Sequence, residues 1–119
     1  MNLINLIDLP NFSDDRGSLI AVEALKDIPF EIKRIYFLYS TDKNKSRGYH
    51  AHLDLKQLAI CVKGNCRFIL DNGHVREEVV LDSPAKGLYI DSLMWREMHD
   101  FSEDCVLLVL ASDYYDESD

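Results

Sequence analysis

Two histidines, His50 and His52, lie two residues apart in the stretch Arg47-Gly48-Tyr49-His50-Ala51-His52. Residues i and i+2 of a β-strand point to the same face, so the two imidazoles are expected side by side, ~7 Å apart along the strand. Imidazole titrates near neutral pH, and it can bind a metal ion or take and return a proton. A third interpretation is that both rings merely fill a hydrogen-bonded core position. The function of the chain depends on which of these holds.

The chain on both sides of this pair predicts a domain built from short strands, with no convincing amphipathic helix. Apolar and β-branched runs alternate with turn residues, and Asn72-Gly73 is a strong hairpin signal. This pattern is typical of an antiparallel sandwich or barrel. The predicted strands cover residues 3–9, 18–24, 32–39, 48–52, 57–63, 66–70, 75–81, 87–90, 94–98 and 105–111.

Composition restricts the function classes. A chain of 119 residues is expected to form one domain, and its net charge of −8 argues against binding nucleic acid or an anionic membrane surface. Cys61, Cys66 and Cys105 all lie in apolar runs and lack the spacing of a metal knuckle, so we expect buried, reduced thiols in a cytoplasmic protein. No apolar run is long enough for a membrane span, and no signal peptide is recognisable.

The spacing of His50, His52, Gln57 and Gly64 resembles the first motif of the cupins, which are double-sheet jelly rolls. A second cupin motif is echoed between Pro84 and His99. In metal-binding cupins, two histidines and a glutamate of the first motif and a histidine of the second hold one metal ion. The glutamate position is Gln57 here, and the last histidine position falls on Arg96.

These two replacements disfavour a metal site. A neutral amide is a poor ligand, and a guanidinium has no acceptor atom at all. His99 could replace Arg96 only if the register differed by three residues, and an odd shift moves a side chain to the other face of the strand. We therefore favour acid–base chemistry by the histidine pair.

Longer strings make the resemblance more specific. IPFEIKRIYFLY, RGYHAHLDLKQLAICVKGNCRFILDNG, DSPAKGLYI, MWREMHDF and VLLVLASDYYDE are similar to the sugar 3,4-ketoisomerase family, the WxcM-like cupins, from about residue 6 to residue 119. The resemblance implies a metal-independent, cofactor-free enzyme that moves the ketone of thymidine diphosphate-4-keto-6-deoxyglucose from C4 to C3. Such enzymes serve the synthesis of 3-amino-3,6-dideoxy sugars of bacterial surface glycans.

The resemblance also implies roles for individual residues. His50 is the expected base at C3 and His52 the second proton carrier. Tyr36, Arg16 and Arg96 are expected to polarise the sugar oxygens, Arg34 and Arg47 to bind the diphosphate, and Gln57 to form hydrogen bonds inside the barrel. Tyr36, Arg34 and Arg16 also have purely structural interpretations. We expect His74 to be exposed and His99 to be structural.

Several alternatives remain open at this stage. The chain could be a metal-dependent cupin enzyme or a non-catalytic sugar-binding cupin instead of an isomerase. Many family members have histidine at the Arg96 position, so the epimer formed at C4 is not predicted. Residues 1–119 are expected to form a single cupin domain, truncated at its C-terminus or cut from a longer chain. The short apolar strand at residues 3–8 predicts an exposed edge, and hence a homodimer.

Overall fold

The computed structural model describes residues 3–119, which form eleven strands and no helix. The strands are β1 (Asn5–Asp8), β2 (Asn11–Asp14), β3 (Gly17–Ile20), β4 (Arg34–Leu38), β5 (Arg47–His50), β6 (Gln57–Lys63), β7 (Cys66–Asp71), β8 (Arg76–Leu81), β9 (Lys86–Ile90), β10 (Trp95–His99) and β11 (Val106–Ala111). Since no helix is present in this range, none is long and apolar enough to cross a membrane.

Two antiparallel sheets and a separate two-stranded ribbon make up the domain. The five-stranded sheet has the order β1-β9-β6-β11-β4, the four-stranded sheet the order β5-β10-β7-β8, and the ribbon consists of β2 and β3. All strand pairs are antiparallel. The expected all-β, antiparallel jelly roll is confirmed.

The main core contains apolar side chains from both sheets, including Ala59 and Cys61 from β6 and Phe68 and Leu70 from β7. A second cluster contains Leu58 from β6 and Phe30, which belongs to the irregular segment between β3 and β4. Alternate side chains of β6 therefore enter different clusters. This is why its sequence is continuously apolar instead of alternating.

The prediction of a strand over residues 18–24 is wrong beyond Ile20. The chain leaves the ribbon there and runs irregularly to β4, and Val22, Ile28 and Phe30 from this segment pack in the second cluster. These apolar residues are spaced for covering a sheet rather than for forming one. Strand β2 was not predicted, because its sequence is largely polar and all four of its residues are exposed.

The other predicted turns and edges have clear counterparts. Asn72 and Gly73 lie in the loop between β7 and β8, where the Asn72 side chain accepts hydrogen bonds from the backbone N–H groups of His74 and Val75 at 2.9 and 2.8 Å. Strand β1 pairs with β9 at the edge of the five-stranded sheet. The predicted first strand is thus an edge strand, although one side of it is already paired.

Glu97 forms the densest polar network described in the domain. This buried carboxylate accepts hydrogen bonds from Trp95 Nε1 at 2.9 Å, His99 Nε2 at 2.9 Å and Arg76 at 2.8 Å. His99 also contacts Ser46 Oγ through Nδ1 at 2.8 Å. These bonds, led by the one from Trp95, lower the pKa of Glu97 to about 2.

We predict that Glu97→Gln lowers the free energy of unfolding by ~1–3 kcal/mol at pH 7, because hydrogen bonds to a charged group are lost. The folded pKa lies below the ordinary value of 4.5, so the stabilisation is complete above that pH and is lost as the pH falls towards 2. Urea unfolding of both proteins between pH 2 and pH 7 measures this difference.

The matched control is Glu78→Gln, which removes an exposed carboxylate paired with Arg67 on the same sheet. This change should have little effect at any pH, since exposed ion pairs contribute little. A difference between Glu97→Gln and wild type that stayed constant down to pH 2 would contradict the assignment.

Candidate active site

A cavity of about 680 Å³ opens at one end of the domain and collects most of the predicted site residues. Its wall includes the following six of the eight: Arg34, Tyr36, Arg47, His50, His52 and Gln57. The rest of the wall comes mainly from residues 53–55 and 113–119. Residues from three different strands and two loops are therefore brought together around one cavity.

The two histidine rings contact each other more closely than a regular strand allows. Their centroids are 4.6 Å apart with an interplanar angle of 79°. The predicted strand over residues 48–52 ends at His50, and the backbone at Gly48 and Tyr49 has φ values of 92° and 60°. This left-handed turn of the backbone replaces the expected ~7 Å separation along a strand by direct ring contact.

Gly48 is required for this arrangement. A Cβ at this position would lie 3.0 Å from the backbone oxygen of Arg96 on the neighbouring strand β10, in addition to the strain of a positive φ. Tyr49 is held by edge-to-face contacts with the rings of Trp95 and His99. These contacts of Gly48 and Tyr49 with β10 thus fix the end of strand β5 at His50.

Hydrogen bonds at Nδ1 determine which nitrogen of each histidine is free. His50 Nδ1 lies 3.0 Å from the carbonyl oxygen of Gly48, and His52 Nδ1 lies 3.1 Å from a carboxylate oxygen of Asp119. Both partners are acceptors, so each neutral ring carries its proton on Nδ1. The Nε2 atom of each ring is left as a base.

The surroundings of His52 favour its neutral form. Burial lowers the pKa of His52, and the nearby charges of Arg96 and His50 lower it further, against an opposing effect of Asp119. A lowered pKa keeps the ring unprotonated at neutral pH, in which state it can accept a proton.

Below the histidines, three side chains form a directed chain of hydrogen bonds. Arg96 donates through a terminal nitrogen to Gln57 Oε1, and Gln57 Nε2 donates to the Tyr36 hydroxyl oxygen at 2.9 Å. Since Tyr36 accepts from Gln57, its own hydroxyl proton is free to bond an oxygen in the cavity. Arg96 is only 2% exposed, so it acts on the cavity through Gln57 rather than lining the wall itself.

Arg96 is buried, and no carboxylate of residues 3–119 pairs with it. Its second terminal nitrogen donates to the Met94 carbonyl at 3.0 Å, and its Nε has no hydrogen-bond partner among the described residues. Burial lowers the pKa of Arg96 to about 10, which still leaves it protonated at neutral pH. The site therefore keeps one buried positive charge.

The strand register shows which residue of the second cupin motif, Arg96 or His99, lies opposite the histidine pair. Arg96 is directly opposite His50 across β10 and β5, whereas His99 bonds Glu97 and Ser46 in a separate network. His99 is thus structural, as predicted, and the residues beside the histidine pair are an amide and a guanidinium. That donor set does not fit a cupin metal ion.

The mouth of the cavity carries charges of both signs. Arg47 is exposed there, and Arg34 stacks between the rings of Tyr36 and Tyr115, with guanidinium-to-centroid distances of 5.2 and 5.6 Å. The Nε of Arg34 is buried and has no partner among the described residues.

Arg16 is not placed in this cavity. It lies in the exposed turn of the β2–β3 ribbon, where its guanidinium pairs with Asp14 at 2.6 Å. The structure of the single chain therefore does not bring Arg16 to the histidine pair. His74 is exposed, as predicted.

Sequence reasoning missed the contribution of residues 112–119. Asp119 binds His52 and also accepts from the backbone N–H of Leu53 at 2.7 Å, and Tyr115 stacks on Arg34. No site residue was predicted in this segment, because it is polar and lacks strand periodicity. Its Asp-Tyr-Tyr-Asp string was the available signal.

Comparison with known proteins identifies the family. The model of the family described as "WxcM-like, C-terminal" (FdtA) matches residues 2–119. The chain belongs to this family. A curated member, the TDP-4-oxo-6-deoxy-α-D-glucose-3,4-oxoisomerase of Aneurinibacillus thermoaerophilus, is 54% identical over 114 residues, which cover 96% of this chain and 82% of that protein.

Solved structures of 3,4-ketoisomerases match the whole domain. A variant of the 3,4-ketoisomerase QdtA from Thermoanaerobacterium thermosaccharolyticum, in complex with TDP-4-keto-6-deoxyglucose, has a TM-score of 0.96 and 44% identity, covering 100% of this chain and 86% of that one. The TDP-quinovose 3,4-ketoisomerase WlaRB from Campylobacter jejuni has a TM-score of 0.95 and 47% identity, covering 99% and 91%.

Proposed function

We propose that this WxcM-like protein is a TDP-sugar 3,4-ketoisomerase that converts TDP-4-keto-6-deoxyglucose into a TDP-3-keto-6-deoxyhexose, which supplies 3-amino-3,6-dideoxy sugars of surface glycans. The observation that carries the proposal is the pair of imidazoles in contact beside a hydrogen-bond donor chain. The curated relative and the solved relatives named above support the same reaction.

The reaction needs a proton transfer at each of two carbon atoms and one between two oxygen atoms, and no external oxidant. His50 Nε2 takes the proton from C3, and the C–H electrons form a C3=C4 double bond as the C4 carbonyl becomes an enediolate. A proton is then delivered to the C4 carbon by the histidine pair, and the C3 hydroxyl proton moves to the C4 oxygen, which leaves a ketone at C3 and a hydroxyl at C4. Carbon C3 is oxidised as C4 is reduced, so the isomerisation is balanced within the sugar.

Contact between the rings suits this sequence of steps. Each neutral histidine offers Nε2, and the ring centroids are 4.6 Å apart, so His50 and His52 can serve adjacent carbon atoms. The free hydroxyl proton of Tyr36 can stabilise the enediolate oxygen, and Arg96 strengthens that donor through Gln57. Arg96 is in this sense a positioning residue.

We predict that His50→Asn reduces the rate by ~10²–10⁴-fold, which is the usual contribution of a general base. Asparagine keeps the polarity and much of the shape of the ring, so the fold should be unchanged by circular dichroism. The measurement is an NMR assay that follows the ketone from C4 to C3 of TDP-4-keto-6-deoxyglucose.

The control for this assay is His74→Asn, an exposed histidine outside the cavity, which should turn over normally. Wild-type protein that binds the substrate but leaves the ketone at C4 would refute the proposed function. A fully active His50→Asn enzyme would refute only the assignment of the base.

The diphosphate of the substrate requires local positive charge in an acidic protein. Arg47 at the mouth and Arg34 beside Tyr115 line the cavity, and several carboxylates of residues 113–119 lie on the same wall. Guanidinium groups suit phosphate oxygens because they donate two parallel hydrogen bonds. We therefore assign the diphosphate to Arg34 and Arg47.

We predict that Arg47→Ala weakens TDP binding by roughly 10- to 150-fold, which corresponds to ~1.5–3 kcal/mol for charge-assisted hydrogen bonds. The difference should shrink at high salt, because the cavity mouth is open to water. Titration calorimetry with TDP alone tests this without catalysis. Lys45→Ala, which removes an exposed cation of the preceding loop, is the matched control. An equal loss of TDP affinity in both variants would show that the effect comes from net charge and not from a contact of Arg47.

Catalysis is proposed to need no metal ion, because the positions of two cupin ligands are filled by Gln57 and Arg96. We predict that turnover survives exhaustive treatment with a chelator, measured with the same NMR assay. Restoration of a chelator-abolished activity by one equivalent of a divalent metal would contradict this prediction. Such a result would require a different set of ligands around His50 and His52.

We also propose a homodimer. Large apolar side chains are exposed on the ribbon at Phe12 and Leu19, and on β4 at Ile35 and Phe37. Groups of exposed apolar side chains often mark contact surfaces, and β1 leaves one sheet edge open. Arg16 lies at the tip of this ribbon. A partner docked there would allow Arg16 to reach the partner's cavity instead of the cavity of its own chain.

We predict a solution mass of twice the 13.7 kDa chain by light scattering at micromolar concentration. Replacing Phe12 and Leu19 by serine should shift the equilibrium towards the monomer. Val80→Ser, an exposed apolar residue on the other sheet, is the control and should leave the mass unchanged. A wild-type mass of one chain would rule the dimer out.

The compartment proposed for the enzyme is the cytoplasm. Cys61, Cys66 and Cys105 are all free and buried, which suits a reducing environment.

A further inference from the structure

Three cysteines that are far apart in sequence meet inside the core. Cys61 belongs to β6, Cys66 begins β7, and Cys105 immediately precedes β11. Their sulfur atoms all lie within 4.8 Å of one another, and the Cys61 and Cys105 sulfurs are 3.7 Å apart. Each thiol is at most 1% exposed. Short sequence motifs could not reveal this group, because Cys105 lies 39 residues after Cys66 and joins the other two thiols only in the fold.

The spacing fits an ion shared by three thiolates. A thiolate-bound ion lies ~2.3 Å from each sulfur, and three sulfurs around one ion are then roughly 4 Å apart. A disulfide would need the two sulfurs at ~2 Å and an oxidant, and it would use only two of the three thiols. All three cysteines are free here.

The number of ligands and the surroundings select the type of ion. In residues 3–119, the group contains three cysteines and no histidine or carboxylate, whereas a structural zinc site has four ligands. The thiols belong to the main apolar core, where an uncompensated charge is costly. Three thiolates are neutralised by a trivalent ion, but not by a monovalent or divalent one.

We propose that Cys61, Cys66 and Cys105 form a three-thiolate binding site for a soft, trivalent, thiophilic ion, of which trivalent arsenic is the prototype. Binding of arsenous acid forms three S–As bonds, and the three hydroxyl groups leave with the three thiol protons as water. Neither arsenic nor sulfur changes its oxidation state, so no further reactant is required. The product is neutral and matches the apolar core.

Contacts within the group hold the Cys61 sulfur in place. The Cys61 thiol donates to the Lys63 carbonyl at 3.3 Å and lies 3.7 Å from the Cys105 sulfur. Because all three sulfurs lie within 4.8 Å of one another, one ion can reach all of them without a change in the strand register.

The three-thiol group and the histidine cavity lie at different places along β6. Gln57 begins this strand in the cavity, and Cys61 is four residues further along, ~13 Å away for an extended chain. The sulfurs do not line the cavity. Occupation of the site should therefore join β6, β7 and β11 without touching the reacting groups.

The test uses reduced, full-length protein under anaerobic conditions, incubated with arsenous acid or refolded with it so that burial does not block entry. Intact-mass measurement should show a gain of one arsenic atom and a loss of three hydrogen atoms. X-ray absorption at the arsenic edge should show three sulfur neighbours and no oxygen or nitrogen. The melting temperature should rise by several degrees, because the ion binds the native arrangement.

Variants separate this site from the histidines. Cys66→Ala, or Cys66→Val where alanine prevents folding, should lose the arsenic adduct, whereas His50→Asn should retain it. No adduct on the refolded wild type, fewer than three sulfur neighbours or a lower melting temperature would each overturn the proposal. Copper(I) provides a second probe, and copper uptake without arsenic uptake would overturn the trivalent assignment.

Discussion

The hydrogen bond between Arg96 and Gln57 is the interaction on which the site depends, because it joins the two sheets across the barrel. Arg96 comes from the four-stranded sheet and Gln57 from the five-stranded one. A glutamate at position 57 would neutralise the guanidinium and could bind a metal, whereas the amide leaves the positive charge in place. Burial and that charge both lower the pKa of His52, and the guanidinium orients the amide towards Tyr36. An amide at the position of the cupin glutamate thus lacks the carboxylate that a metal ion would need, and it leaves a positive charge close to the histidine pair.

The backbone conformation before His50 then sets the distance between the two histidine rings. A regular strand would keep the rings apart along its axis, but the left-handed conformations of Gly48 and Tyr49 end β5 at His50 and bring the rings into contact. The hydrogen bond from His50 Nδ1 to the Gly48 carbonyl uses the same turn of the backbone. The strained left-handed conformation of Tyr49 is therefore part of the arrangement that leaves Nε2 free.

Sequence patterns predicted what depends on local periodicity and chemistry. The strand β6 was predicted at its observed bounds, Gln57–Lys63, because residues 58–62 are continuously apolar and a turn signal follows. The pairing of two histidines with an amide and a guanidinium also followed from motif spacing. The prediction of a strand after Ile20 was wrong because apolar residues that cover a sheet resemble those that form one.

What could not be predicted depends on contacts between distant parts of the chain. Asp119 reaches His52 across 67 residues, and no local pattern marks it as a partner. The three thiols are a second case, since their meeting requires the register of β6, β7 and β11. Arg16 shows the reverse: a residue implied by family resemblance lies outside the cavity of its own chain. Motifs identify which residue types are present, whereas the register of the sheets determines which of them can act together.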